Sequence, residues 1–399
     1  MSAPAYALNP AVADVAEPPI PEVNGWIPDR AAFPVPVIDL ARAVPGYPPP
    51  PALVDAFAAI AREPGVELYT PILGLPELRA ALADDITRAY GGRVRAAQVG
   101  VTAGGNQAFT SVLMALCGPG DEVLLPAPAY FNHPMWMEMT GVRHTALPFR
   151  PDRGGVPDAA DAESRIGPRT RAIVLVSPNN PTGAVCPPDV IRAFRDLAAR
   201  HGLALVLDET YRDFLGGEGP AHGLFADPGW DRTLVHLYSF SKAFCMTGHR
   251  VGAVAGHPDL IAMVAKVMDC VAICAPHPGQ RLALHALTHL AGFRAEGARI
   301  MAERLAAFRA ALADAAPIWE VASAGAFFAY VAHPFAGAPS KAVAKALAQR
   351  HGVLAVPGSA FGPGQERFVR FAVANADAAL MPEVARRLAR FAREGLDPT

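Results

Sequence analysis

Apolar positions along this chain fall into two alternating rhythms. From Pro51 onward, PALVDAFAAIARE and LPELRAALADDITRAY repeat apolar residues every three or four positions, the period of a helix buried along one side. Interleaved with such stretches are short, nearly continuous apolar runs of strand length: VGVTA, DEVLLP, RAIVLVS, LALVLDE and similar Val- and Ala-rich segments. Strand and helix in alternation predict an α/β fold around a parallel sheet. Past about residue 290 the rhythm changes. GFRAEGARIMAERLAAFRAALADA predicts a long helix, FFAYVA a strand, 339–351 a helix, GVLAV and FVRFAVA further strands, and 377–394 a last helix. That order predicts a smaller α+β domain. Residues 1–35 have no sustained period and read as an extended arm, followed by the stiff connector PGYPPPP at 45–51. The expected organisation is an arm and small-domain segment over 1–50, a large domain over 51–289 and a small domain over 290–399. No repeat of 20 to 50 residues is visible.

Composition narrows the function classes. Of 399 residues, 52% are apolar and 18% charged, so the chain can bury a large core and is not a disordered one. Its 35 basic and 37 acidic residues leave a formal charge of −2, without the basic footprint that nucleic acid requires. The opening segment lacks the basic and apolar regions of a signal peptide, and no apolar run approaches a membrane span. Five cysteines, an odd and scattered set, predict buried free thiols in a reducing cytoplasm, with neither a disulfide framework nor a metal site.

Ligands of open α/β sheets collect at the carboxyl ends of the strands, which directs attention to residues just past each apolar run. Thr102-Ala103-Gly104-Gly105-Asn106 leads from a strand into a helix, and free amides at such a start suit a phosphate. Tyr130 and His133 follow DEVLL, and Ser177-Pro178-Asn179-Asn180-Pro181-Thr182-Gly183 follows RAIVLV. Asp208-Glu209-Thr210-Tyr211 ends LALVL, where a buried acid needs a cation or hydrogen bonds. Ser239-Phe240-Ser241-Lys242, with Arg250 eight residues on, offers an amine of the kind that forms Schiff bases. Each alone has a bland reading: a tight turn, a packing tyrosine, a surface lysine.

In this order the motifs resemble the class I/II aminotransferases of fold type I, which use pyridoxal 5′-phosphate (PLP); the likeness runs from about Tyr69 to Arg370. The resemblance implies a mostly parallel seven-stranded sheet between helices in a large PLP-binding domain, plus the smaller α+β domain. It implies that Lys242 holds PLP as an internal aldimine and then moves the substrate Cα proton. Asp208 would pair with the pyridine nitrogen, with His133 behind it, and Tyr130 would stack on the ring. Tyr211 and Asn180 would hydrogen-bond the ring's phenolic oxygen. Gly105, Asn106, Ser239, Ser241 and Arg250 would hold the phosphate, joined by Tyr69 from a neighbouring subunit, so that a homodimer builds its sites between chains. Arg370, in the apolar run FVRFAVA and flanked by Phe368, Val369 and Phe371, would grip the substrate α-carboxylate beside Asn180.

The implied activity moves an amino group from an L-amino acid to a 2-oxo acid through pyridoxamine phosphate. Two features depart from the family pattern. Ala43-Val44-Pro45 stands where relatives have Gly-Glu-Pro, and Cys270 falls near the position from which the partner subunit of dicarboxylate-specific relatives supplies a second arginine, with Arg281 or another arginine as a substitute. Aspartate is therefore not the implied donor. A PLP lyase or ring-forming synthase shares nearly all of these cofactor residues and remains the alternative. An effector domain of a transcription regulator would add a DNA-binding domain, whereas only about 35 arm-like residues precede this fold.

Overall fold

The computed structural model describes residues 6–215 and 219–396; the first five residues of the arm, 216–218 and 397–399 lie outside the described residues. The chain enters its sheets at β1 (Ile38–Asp39) and then builds β2 (Val99–Thr102), β3 (Glu122–Pro126), β4 (Arg143–Leu147), β5 (Thr170–Val176), β6 (Ala204–Asp208), β7 (Leu234–Ser239) and β8 (Gly252–Ala255). These last seven form one sheet in the order β2-β8-β7-β6-β5-β3-β4. β8 runs antiparallel to both neighbours and the remaining pairs are parallel. The long apolar run of β5 follows from burial on both faces: Ile173 and Leu175 enter one core, and Ala172, Val174 and Val176 enter the other. Helices cover both cores. Pro51–Ile60, Pro76–Tyr90, Pro188–Arg200 and Pro258–Ala272 each open on proline, whose fixed φ and missing N–H suit a first helical turn.

Beyond the sheet, helix Ala291–Ala315 carries Arg294 against the large domain and Phe308 and Leu312 into a second core. That core lies under a sheet of β9 (Glu320–Gly325), β10 (Phe328–Ala332), β12 (Val356–Pro357) and β13 (Phe368–Ala372), antiparallel throughout in the order β12-β13-β10-β9. A separate strand, β11 (Val353–Leu354), pairs in parallel with β1, which ties the N-terminal segment to the small domain. The expected α/β large sheet and α+β remainder are therefore both present.

Two expectations need correction. The stretch read as an extended arm contains helix Pro19–Gly25, and Val23, Trp26 and Ile27 are buried against Tyr330, Leu354 and Phe361. Its prolines begin a helix rather than extend the chain, and its few apolar residues are too close together to show a period. Of the five free cysteines only Cys186 is fully buried; Cys270 is exposed and the other three are partly covered. Among the described residues, no helix is long and apolar enough to cross a membrane.

Candidate active site

The carboxyl ends of β5, β6 and β7 and the turn after β2 surround a cavity of about 190 Å³. It is lined by Gly105, Asn106, Tyr130, Val176, Asn180, Asp208, Thr210, Tyr211, Ser239, Ser241, Lys242 and Arg250. All but Arg250 sit just past or at a strand end, where the chain leaves the buried sheet and its side chains can face a ligand; Arg250 instead precedes β8, whose antiparallel course places its start beside the end of β7. Of the residues singled out from sequence, Tyr69, His133 and Arg370 do not line the cavity.

Lys242 lies in the short helical turn Phe240–Ala243, whose second amide is capped by Ser239: its Oγ accepts from Ser241 N at 3.3 Å. Burial pushes the Lys242 amine down to about 8, and the nearby Arg250 and Arg370 push in the same direction. Among the described residues it has no carboxylate partner within ion-pair distance.

Asp208 ends β6 with its carboxylate buried. Thr210 donates to Oδ1 from its backbone N–H at 2.9 Å and its hydroxyl at 2.7 Å. Burial raises the carboxyl's pKa, opposed by those two bonds. Oδ2 lies 3.7 Å from His133 Nε2. His133 is buried and stacked on Phe109 at 3.8 Å, and burial pushes it down to about 3, so it stands behind Asp208 as a neutral ring. Burial also raises the Tyr130 and Tyr211 hydroxyls, leaving both as donors.

The opposite wall is cationic and glycine-lined. Arg250 donates to Thr247 O at 3.0 Å and Ala103 O at 3.3 Å. It crosses Gly104 so closely that a Cβ there, at φ +85°, would stand 2.2 Å from its Nη2. Beside it, helix Gly105–Leu116 begins with its first amides facing the cavity, an arrangement that favours an anion.

Arg370, on β13, is 1% exposed and reaches across from the small domain. Its Nη1 donates to Asn180 Oδ1 at 3.0 Å and its Nη2 to Ala41 O, while Nε has no partner. Asn180 Nδ2 in turn lies 3.5 Å from the Tyr211 hydroxyl. Burial pushes the guanidinium down to about 10, which keeps it cationic at neutral pH. The rings over it are Phe361 and Phe328, at 5.3 and 5.5 Å. Its sequence neighbours point elsewhere: Val369 and Phe371 enter the small-domain core, and Phe368 stacks on Tyr330. Tyr69, 76% exposed, stands on the surface of this chain away from the cavity.

Sequence reasoning missed Thr210, although it stands inside the DETY run; an Asp followed two residues later by a hydroxyl is the signature of a local turn bond. It also missed the Ala41 carbonyl, which carries no chemical signature in sequence.

The cavity thus holds a buried carboxylate without a cation, an amine without an anion, and an arginine at a helix start whose bonds go only to backbone carbonyls. A ligand with a protonated ring nitrogen, an electrophilic carbon and a phosphate complements all three, and PLP has that set of groups. The family model "Aminotransferase class I and II" matches residues 35–388. The chain belongs to this family. It is 35% identical over 279 residues to the bifunctional aspartate aminotransferase and glutamate/aspartate-prephenate aminotransferase of Petunia hybrida, a match covering 69% of this chain and 57% of that protein. It is 32% identical over 349 residues to the arginine–pyruvate transaminase AruH of Pseudomonas aeruginosa, covering 86% of each. The structure of aspartate aminotransferase from Thermus thermophilus with maleate superposes with a TM-score of 0.88 at 29% identity, over 96% of this chain and 99% of that one. The class I/II aminotransferase described here is PLP-dependent and transfers amino groups. The relatives' names state transamination, and none states the elimination or ring-forming chemistry that the cofactor residues alone left open.

Proposed function

We propose that the residues converging on Lys242 carry the amino-group transfer, and that the preferred donor is an L-amino acid with an apolar side chain. The observation that carries the first part is Lys242 itself: a buried amine with a depressed pKa that shares one cavity with Asp208 and Arg250. When bound, PLP supplies an aldehyde carbon that exchanges amines and a ring that accepts electrons. Gly105, Asn106, Ser239, Ser241 and Arg250 would hold its phosphate, with amides and guanidinium as donors. Asp208, ionised opposite the ring nitrogen and backed by neutral His133, would keep a proton there. Tyr130 would cover one ring face, and Asn180 and Tyr211 would donate to the ring oxygen. Lys242 Nζ, as a neutral amine, would take the proton from the substrate Cα and return it to the cofactor carbon. Arg370 and Asn180 would receive the α-carboxylate and so fix which bond at Cα faces Lys242.

The donor reading rests on the aromatic wall beside Arg370. Phe131 links Tyr130, at 4.9 Å, to Phe361, at 6.1 Å, and Phe361 and Phe328 face the guanidinium. At the position from which a partner subunit would supply a cation for a second carboxylate this chain has the uncharged, exposed Cys270, and Arg281 is already paired with Glu63 at 2.9 Å, which supports a donor without a second carboxylate. The exposed Leu68 and Tyr69 support a homodimer in which Tyr69 of one chain reaches the phosphate pocket of the other. Free thiols throughout the described residues fit a reducing cytoplasm. The test is the absorbance of PLP-loaded protein during single-turnover titration with aromatic, branched, acidic, basic and sulfur amino acids. Conversion to pyridoxamine phosphate by the apolar classes, reversed by a 2-oxo acid, is expected. Selective conversion by aspartate or glutamate would overturn the donor assignment, and ammonia release with the band unchanged would overturn the amino-group transfer assigned to these residues.

A further inference from the structure

The loop that presents Asn180 and the sheet that presents Arg370 meet where neither chain has a side chain. Residues 179–184 form a buried turn held by Gly183 N to Asn179 O at 2.7 Å, Asn179 N to Ala184 O at 2.8 Å, and the Thr182 hydroxyl to Asn179 Oδ1 at 3.1 Å. Gly183, at φ +73°, faces Gly325 at the end of β9. A Cβ on Gly183 would lie 2.3 Å from Gly325 N, and one on Gly325 would lie 2.1 Å from Gly183 O. Two residues earlier on β9, the Ser323 hydroxyl donates to Gly154 O at 2.6 Å, a second attachment to the large domain. Strand pairing carries the Ser323 tether directly to the substrate arginine, since Ser323 is opposite Tyr330 and Tyr330 opposite Arg370, while Gly325 is opposite Phe328 and Phe328 opposite Ala372, two residues along the same strand. Two strand spacings, about 10 Å, therefore separate the seat from the guanidinium's own strand.

The geometry points to Gly183 and Gly325 as positioning residues: a backbone-on-backbone stop, tethered by Ser323, that sets how closely the small sheet approaches Asn180 and hence the width of the Arg370–Asn180 carboxylate clamp. This rests on the reading that Arg370 and Asn180 take the carboxylate. The stop is steric and tightly toleranced. An alanine Cβ at 325 needs at least about 1.3 Å of retreat to reach ordinary contact with Gly183 O, because packed interiors hold atoms at van der Waals separation. The Arg370–Asn180 bond, now 3.0 Å, has no such slack, since hydrogen bonds fail beyond about 3.5 Å. The residues proposed to hold PLP all belong to the large domain, on the other side of the stop.

The test uses Gly325→Ala, Ser323→Ala and Arg370→Lys in the PLP-loaded enzyme, with L-phenylalanine or the best donor of the titration panel and the amine lacking only its carboxylate. Gly325→Ala is expected to raise KM for the amino acid about tenfold or more with kcat changed less. The amine, and the affinity of the apo protein for PLP followed by fluorescence, should stay within about threefold. Ser323→Ala adds no bulk and is expected to fold; loosening one tether should raise the same KM about threefold. In the Gly325→Ala/Arg370→Lys double variant the two effects should be less than additive. If Arg370→Lys does not weaken the amino acid, the carboxylate assignment fails and takes the stop with it. The stop alone is overturned if Arg370→Lys weakens the amino acid while Gly325→Ala, or Ser323→Ala where the alanine at 325 does not fold, leaves it unchanged. It is equally overturned if PLP affinity falls in parallel.

Discussion

Arg370 offers the sharpest separation of substrate binding from cofactor binding. It is a fully buried cation under two aromatic rings with one N–H on Asn180, one on Ala41 and Nε free, so it already bears the cost of desolvation before any substrate arrives. A carboxylate that accepts two of its N–H groups gains two charge-assisted bonds, each worth about 1.5–3 kcal/mol. Arg370→Ala is therefore expected to lose about 3–6 kcal/mol of transition-state binding, roughly a hundred- to ten-thousand-fold in kcat/KM for the amino acid. Arg370→Lys keeps a charge but not the planar fork, and should fall between, at about ten- to a hundredfold. The assay compares an amino acid with the amine that lacks its carboxylate. The amine should lose less than about threefold in either variant, because it never used the fork. PLP affinity of the apo protein, measured separately, should not move. Equal losses for amine and amino acid, or a fall in PLP affinity, would refute the assignment and make Arg370 a packing residue.

Three further perturbations probe other parts of the site. In the apo protein the Lys242 amine titrates near 8, so PLP capture followed by stopped-flow absorbance should rise about tenfold per pH unit up to that value and then level; a midpoint near the ordinary lysine value would contradict the burial argument. Because its folded pKa is depressed, the unfolded chain binds more protons between about pH 8 and 10.5, and stability should climb through that window. Lys242→Met should accordingly stabilise the apo protein by about 3 kcal/mol at pH 7 in urea unfolding, and no gain would count against it. Glu209, wholly buried, accepts from Tyr90 at 2.6 Å, lies 3.2 and 3.0 Å from the His222 and His236 ring nitrogens, and is held well below the usual carboxylate range by those histidines against the opposing pull of burial. Glu209→Ala should cost about 3–5 kcal/mol at pH 7, and the difference from wild type should shrink as pH falls below about 4.5, where the unfolded carboxylate takes up its proton; a cost under about 1 kcal/mol would show the cluster is neutral packing. Finally, mixing inactive Tyr69→Ala and Lys242→Ala chains should restore about a quarter of wild-type activity, since half of the dimers carry one intact site; activity no greater than either parent would exclude a shared site.

What could be read from sequence, and what could not, follows from the distance over which each feature is determined. Lys242, Asp208, Asn180, Gly105 and Ser239 all follow apolar strands in runs where local bonding already fixes the conformation, such as the Ser239 cap on Ser241 and the Thr210 bonds to Asp208. Their neighbourhood in sequence is their neighbourhood in space, apart from the sheet order that brings the strand ends together. β4 escaped notice because it forms the sheet edge and exposes Arg143 and Ala146, leaving no apolar run. Trp26 escaped because a segment of prolines and acids hides a single buried turn. Arg370 was visible as a charge in an apolar strand, yet its partners lie 190 and 329 residues away and one of them is a backbone carbonyl, which no residue type announces. The contact between Gly183 and Gly325 is harder still, because it is made of what both residues lack. A glycine in a loop has many reasons to exist, and only the opposing backbone shows which applies. The cofactor groups, fixed by local turns, therefore reveal a chemistry shared across the family, whereas the substrate clamp depends on long-range approach of two domains. Discrimination between an amino acid and the amine that lacks its carboxylate is accordingly expected to shift with substitutions at the Gly183–Gly325 seat that leave every cofactor contact unchanged.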